Sequence, residues 1–221
     1  MVNVLSHGKI ESLIREISAR PVIDPKEESM ANENFDADLI VIGAGPGGYV
    51  AAIRAAQLGA KVICVEKEYL GGTCLNWGCI PSKAMIASVE RMQDAKHGAD
   101  LGVVIDGTIS MDFKKMMERK EKIVQTQRGG VGYLFKKNKI EHVEGFAKFV
   151  DVHTIEVEKD GNKKTLRAKN FVLAMGSSVI HIPVPGLDGR RAEGVWTSDD
   201  AVTADHVPGR MLILGGGAVG V

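Results

Sequence analysis

Cys74 and Cys79 stand five positions apart in Gly71-Gly-Thr-Cys-Leu-Asn-Trp-Gly-Cys-Ile-Pro-Ser-Lys83. A pair this close can staple the chain, share a metal, or cycle between dithiol and disulfide. In a regular helix the rise between them would be about 7.5 Å, whereas a disulfide needs Cα atoms within about 7 Å. The spacing therefore predicts a distorted turn, for which Gly78 and a helix start at Pro81 are suited. A thiol at a helix N-terminus is expected to have a lowered pKa and more thiolate character. Zinc would ask for a second ligand pair, and no CxxC or suitably spaced His cluster is present, so no metal site is expected. A structural disulfide is disfavoured in a chain that reads as cytoplasmic. Cys64, inside an apolar run, reads as a small buried side chain.

A redox dithiol also fits what lies just upstream. Gly43-Ala-Gly-Pro-Gly-Gly48 has the spacing G-x-G-x-x-G. It follows the apolar run Asp38–Ile42 and opens a helical pattern that runs to Leu58. Gly43 suits a tight turn, Gly45 lets the backbone approach a pyrophosphate, and Gly48 lets helix and strand pack closely. The helix start adds unpaired N–H groups and a partial positive charge for phosphates, with Pro46 and Gly47 in the same turn. Glu66 ends the next apolar run, 61–66, where its carboxylate can accept hydrogen bonds from ribose hydroxyls; Lys67 follows it. The motif alone does not distinguish FAD from NAD.

The elements that must position these residues can be read along the chain. The strand, glycine turn, helix and strand of 38–66 form a βαβ unit whose apolar strands suit a parallel sheet covered on both faces. Helices are expected over 80–97 and 111–137, the second with an irregularity at Gly129-Gly130. Short strands follow at 140–143, 147–150, 154–157 and 164–168, with a hairpin at Asp160-Gly161. Another buried strand is expected at 171–174, then a connecting loop marked by Pro183, Pro185, Gly186 and Gly189. Met211-Leu-Ile-Leu214 reads as a strand running into Gly215-Gly-Gly217-Ala-Val-Gly220, a second glycine turn. A helix should follow such a turn, so the chain reads as cut off at the start of a second βαβ domain. The fold class expected is α/β: a Rossmann-like dinucleotide domain with a parallel sheet and a small β-meander.

Composition limits the partners. The 221 residues carry 28 basic and 28 acidic side chains, so no charge excess points to nucleic acid or an anionic membrane. No apolar run approaches the roughly 18–20 residues that span a bilayer. The N-terminal stretch holds Glu11, Glu16, Glu27, Glu28 and Glu33. Transit peptides are poor in acids, so mitochondrial import is not expected and a cytoplasmic location is. Ile10, Leu13, Ile14 and Ile17 fit a short amphipathic helix before a linker at Pro21 and Pro25.

Gly71–Lys83 is similar to the signature of the class I pyridine nucleotide–disulfide oxidoreductases, and the resemblance covers residues 37–221. C-L-N-x-G-C-I-P-S-K most resembles the branch that oxidises dihydrolipoamide. Branches acting on glutathione or mercuric ion more often carry Val where this chain has Leu75 and Ile80. The resemblance implies FAD in the first glycine turn, with Gly72 and Thr73 also at the cofactor. It implies that Cys74 exchanges with the substrate's sulfur, that Cys79 lies against the flavin and passes electrons to it, and that Lys83 lies near the flavin's reactive nitrogen. Gly145-Phe-Ala147-Lys-Phe149 resembles a further FAD-contacting strand start, with Ala147 where the family has glycine. Ala174-Met-Gly176-Ser177 resembles the A-T-G-S that ends the FAD domain, so Gly176 and Ser177 are expected at the cofactor. Gly215, Gly217 and Gly220 resemble the NAD phosphate loop.

The domains implied are an extension and linker over 1–35, an FAD domain with the redox disulfide over 36–185, and a connection with the start of an NAD domain over 186–221. The expected partner is dihydrolipoamide carried on a lipoyl domain of a 2-oxo acid dehydrogenase complex, and the full-length protein is expected to be a homodimer. None of His7, His97, His142, His153, His181 and His206 has the family's His-Pro context, so no general base is expected in this chain. The alternatives are another flavoprotein disulfide reductase and a non-catalytic FAD-binding module.

Overall fold

Alternation within β1 (Ala37–Ile42) and β2 (Val62–Glu66) decides the architecture, because both faces of these strands are apolar. Val41 and Cys64 point to one side, and Ile40, Ile42, Ile63 and Val65 to the other. A strand buried on both faces needs two covering layers. The computed structural model describes residues 34–180, 185–186 and 194–220. The helix and linker expected near the N-terminus, and most of the loop at 181–193, lie outside the described residues.

The first layer is helical. α1 (Pro46–Gln57) connects β1 to the parallel strand β2 in register Val41 with Cys64. α2 (Gly72–Asn76), α3 (Cys79–Lys96) and α4 (Phe113–Lys137) follow. Asp112 caps α4 by accepting a hydrogen bond from the Lys115 N–H, 3.0 Å away. Val124, Val131 and Phe135 on α4 pack with Ala52 on α1 against Val41 and Cys64. The irregularity expected at Gly129-Gly130 is absent, and α4 runs unbroken through it. Both glycines are exposed, and nothing crowds them. The anchoring contacts on either side outweigh the roughly 1 kcal/mol that each glycine costs a helix.

The second layer is the meander. β3 (Glu141–Glu144) adds a parallel edge to β2. β4 (Phe146–Phe149) and β5 (Thr154–Lys159) pair antiparallel, and β5 pairs with β6 (Asn162–Leu173). Asp160 and Gly161 both take positive φ, 51° and 78°, as a two-residue hairpin requires. Ile155, Val157 and Leu166 then cover Ile40, Ile63 and Val65. Burying each such side chain is worth roughly 1.5–3 kcal/mol, so this face contributes to stability as the helical face does.

The expected strands at 164–168 and 171–174 are one strand. β6 pairs antiparallel with β5 through its first half and parallel with β1 from Ala168 to Leu173. The sheet order is therefore β3-β2-β1-β6-β5-β4. Lys169-Asn170, which reads as a break, holds its pairing because Asn170 faces Leu39 across the ladder.

Two further elements depart from expectation. Residues 211–214 form no strand, and Leu212 is 86% exposed; no neighbouring strand among the described residues offers them a ladder. α5 (Ser198–Val202) was not expected. Its signal lies in Thr197 and Asp200, which form a reciprocal capping box. Among the described residues no helix is long and apolar enough to cross a membrane.

Candidate functional site

The first glycine turn is built by close approach. Gly43 has φ +98°, and a Cβ there would meet the Ala174 carbonyl oxygen at 2.2 Å. A Cβ on Gly48 would lie 1.8 Å from the Gly43 oxygen. Ala174, just past β6, is tied to the same turn by donating to the Ile42 carbonyl at 2.8 Å. Gly45 caps α1 without a side-chain hydrogen bond, Pro46 and Gly47 are exposed in the first turn, and no acid lies there. The exposed N-terminal end of α1 thus presents backbone donors and positive dipole without competing carboxylate. That donor set fits an anionic pyrophosphate.

Glu66 ends β2 beneath this turn. One carboxylate oxygen accepts from the Ala44 N–H at 2.7 Å and the other from the Glu68 N–H at 3.0 Å. Glu66 therefore braces the glycine turn, and each oxygen keeps a lone pair for a further donor. Lys67 beside it is exposed.

The dithiol is joined to this loop directly. The Gly71 N–H donates to the Ala44 carbonyl at 2.8 Å. A Cβ on Gly72 would stand 2.5 Å from the Gly45 Cα. Thr73, exposed, and Cys74 follow on α2, which stops at Trp77. Gly78, with φ −126° and ψ −114°, breaks the helix, and α3 begins at Cys79 itself, two residues before the expected start at Pro81. The break brings the chain back over Cys74: a Cβ on Gly78 would lie 3.2 Å from the Cys74 Cα.

All three cysteines are free thiols, with Cys74 half-buried and Cys79 exposed. A hydrogen bond with the Cys79 side chain pushes the Cys74 thiol above its ordinary pKa, with burial adding to it. Lys83, one turn after Cys79, pulls in the other direction. The thiol partner and burial thus favour the protonated form of Cys74 more than the Lys83 charge favours its thiolate. Cys64 is fully buried and pushed up to about 12, first by burial and then by Glu66. It is an inert core side chain.

The remaining expected residues are more scattered. Ala147 sits on β4 opposite Val157 and packs on the Ile63 and Val65 side of the core. Its strand reaches the first site through Gly145, whose N–H donates to the Glu66 carbonyl at 2.9 Å. Gly176 and Ser177 are exposed beyond Ala174. The second glycine turn repeats the first in miniature. Gly215 has φ +105°, and a Cβ on Gly220 would meet the Gly215 oxygen at 2.1 Å. The Gly220 N–H donates to Gly217 at 2.9 Å. No cluster of metal ligands exists among the described residues.

Several structural partners of the dithiol carry no signal in the sequence. Asn76 is buried and donates from Nδ2 to the Leu70 and Gly72 carbonyls at 3.1 and 2.9 Å. Arg128 of α4 donates from Nε to Asn76 Oδ1 at 2.9 Å and lies 4.0 Å above the Tyr69 ring. Arg119, also of α4, donates to the Ala84 carbonyl and to Ser88 Oγ on α3. An arginine on a long amphipathic helix reads as solvated, so only the fold could single these out.

A bracing acid, a closed glycine turn and a dithiol packed against it make up one candidate site. A family model described as pyridine nucleotide-disulphide oxidoreductase matches residues 37–221, and the chain belongs to that family. Mitochondrial dihydrolipoyl dehydrogenase of Caenorhabditis elegans is 47% identical over 189 residues, covering 84% of this chain and 37% of the relative. Dihydrolipoyl dehydrogenase of Bacillus subtilis is 44% identical over 186 residues, covering 84% and 38%. A solved Cu(II) complex of the HOCl-induced flavoprotein disulfide reductase RclA from Escherichia coli superposes with a TM-score of 0.69 at 26% identity, covering 85% and 38%. The chain thus spans less than two fifths of the length of these relatives.

Proposed function

We propose that this chain is the FAD-binding part of a dihydrolipoyl dehydrogenase. In this reading residues 36–185 hold FAD and the redox pair, and residues 186–221 lead into an NAD domain. The observation that carries it is the contact of Gly72 with Gly45, which sets a dithiol against a phosphate loop. The identity with proteins named dihydrolipoyl dehydrogenase supports the substrate branch. The N–H groups at Gly45, Gly47 and Gly48 would hold the pyrophosphate, and the free lone pairs of Glu66 the ribose. Ala147, Gly176 and Ser177 would add backbone contacts. FAD, when bound, supplies a two-electron acceptor that nicotinamide can reoxidise.

The chemistry begins from the Cys74–Cys79 disulfide. A thiolate of dihydrolipoamide attacks Cys74 Sγ, forming a mixed disulfide and releasing the Cys79 thiolate. The second substrate thiol displaces Cys74, leaving cyclic lipoamide and a reduced pair that holds two electrons. Lys83 favours the thiolate form, since its charge lowers the pKa of Cys74. The whole protein would take its substrate from a lipoyl domain of a 2-oxo acid dehydrogenase complex and act as a cytoplasmic homodimer. Gly215, Gly217 and Gly220 would receive the NAD pyrophosphate.

The test is flavin binding by the chain. Flavin fluorescence should be quenched, and FAD should stay with the protein through gel filtration. Free FAD in every fraction would sink the reading. Another flavoprotein disulfide reductase is the second reading, favoured by the superposition with RclA. Turnover of dihydrolipoamide, glutathione disulfide and Hg(II) by the full-length protein separates the two.

A further inference from the structure

α4 reaches both halves of the dithiol. Arg128 holds Asn76, two residues beyond Cys74 on α2. Arg119 holds Ala84 and Ser88 on α3, the helix that Cys79 opens. The two arginines are nine residues apart on one continuous helix, a separation of about 13.5 Å. Between the cysteines the chain has only Leu75, Asn76, Trp77 and the break at Gly78, whose backbone follows no regular pattern. Within the segment the Trp77 N–H donates to the Thr73 carbonyl and Gly78 packs on Cys74, and α4 adds a hold on each half from outside it.

The Arg128 contact is also directional. Its Nε donates to Asn76 Oδ1, and its guanidinium carbon lies 4.0 Å over the Tyr69 ring, which is 5.9 Å from the Trp77 ring. The Asn76 amide is then left to grip Leu70 and Gly72. A side-chain amide held at both ends by a planar cation and two carbonyls has one orientation.

We propose that Arg128 is a positioning residue for the redox pair, acting through Asn76 to hold Cys74 within bonding reach of Cys79. This rests on reading Cys74 and Cys79 as a redox pair, and it makes α4 the splint across the helix break. Two thiols held together have a high effective concentration toward each other, which favours the disulfide over the dithiol. Loss of Arg128 frees the Cys74 half while Arg119 still holds the Cys79 half. The pair then becomes easier to reduce.

The test is equilibration of the full chain with glutathione and glutathione disulfide, followed by acid quench, alkylation and mass spectrometry. Oxidation forms one Cys74–Cys79 bond and breaks one in glutathione disulfide, whose two sulfurs leave as thiols with the protons of the protein pair. Arg128→Leu should lower this equilibrium constant about tenfold, which is a rise of about 30 mV in potential. Arg91→Ala, which removes an exposed arginine paired with Asp94, should leave it within twofold of the parent chain. Arg128→Gln keeps a donor for Asn76 without the charge or the ring contact, and should fall between the two. An Arg128→Leu constant equal to that of Arg91→Ala overturns the proposal. If the Leu variant does not fold, an Arg128→Gln constant equal to that of the parent chain overturns it instead. The readout needs no flavin, so failure of FAD binding would count against the proposed function and leave this result standing.

Discussion

Gly72 rests on Gly45 so closely that a single added carbon would lie 2.5 Å from the Gly45 Cα. Through this contact, beside the Gly71 N–H bond to the Ala44 carbonyl, the segment carrying Cys74 and the turn that would carry a pyrophosphate are parts of the same surface. Gly72 also has φ +59°, where an L side chain costs roughly 1–2 kcal/mol. Gly72→Ala should therefore separate the two parts and lower FAD affinity by at least tenfold. Titration by flavin fluorescence checks this, and unchanged affinity would refute the coupling.

Gly45 and Gly48 should fail in different ways. A Cβ on Gly48 runs into the Gly43 oxygen at 1.8 Å, whereas one on Gly45 meets its nearest neighbour at an ordinary 3.7 Å. Gly48→Ala should lower the melting temperature by several degrees, as a loss of a few kcal/mol does in a domain of this size. Gly45→Ala should keep the melting temperature and lose flavin, because its Cβ makes only ordinary contact with Gly72 yet stands in the turn proposed to carry the phosphates. Parallel thermal melts and flavin titrations would show whether the two effects dissociate.

The hydrogen bond between the thiols sets the reactivity of Cys74. Since it raises the Cys74 pKa, the thiolate fraction at neutral pH is below that of an ordinary cysteine. Cys79→Ala removes the partner, so the pH midpoint for iodoacetamide labelling of Cys74 should fall. Lys83→Met removes the opposing charge and should raise it. Peptide mass spectrometry across a pH series reads both midpoints, and a rise in the Cys79→Ala variant would contradict the assignment.

Cys64 makes stability depend on alkaline pH. Its thiol is pushed from 9.0 in the unfolded reference to about 12 in the fold. Below about pH 9 it is protonated in both states and contributes no pH dependence. Between about 9 and 12 the unfolded chain loses this proton while the folded one keeps it. Stability therefore falls as pH rises, by about 1.4 kcal/mol per unit. Between pH 9 and 10.5 the parent chain should lose roughly 1.6 kcal/mol more than Cys64→Ala by urea denaturation. Equal losses would mean that the buried thiol does not titrate this way.

Short-range physics explains what could be read in advance. The Gly43–Gly48 turn and the Asp160-Gly161 hairpin follow from positions where a side chain cannot fit or φ must be positive, and the break at Gly78 sits where one would be tight. Residues fixed by tertiary contact were not legible. Lys169-Asn170 looks like a break until the Leu39 ladder holds it, and Gly129-Gly130 looks like a kink until Val124 and Val131 anchor the helix around it. Residues 211–214 have every local feature of a strand, but no described neighbour gives them a ladder. Arg128 gives no signal because its meaning lies in Asn76, which is 52 residues away in the chain.

β6 gives the fold an uneven tolerance of length changes. Its first half is paired only to β5 by way of the hairpin, while its second half is locked to β1 and ends with the Ala174 carbonyl behind Gly43. A residue inserted at the Asp160-Gly161 tip lengthens a surface loop. One inserted between Leu166 and Phe171 would turn Phe171 toward the helices and Val172 toward the meander, since side chains alternate faces along a strand. It would also move the Ala174 carbonyl from behind Gly43. A scan of single insertions from 160 to 174 should therefore show a sharp threshold after Leu166, beyond which a change made in the meander is felt as a loss of the cofactor.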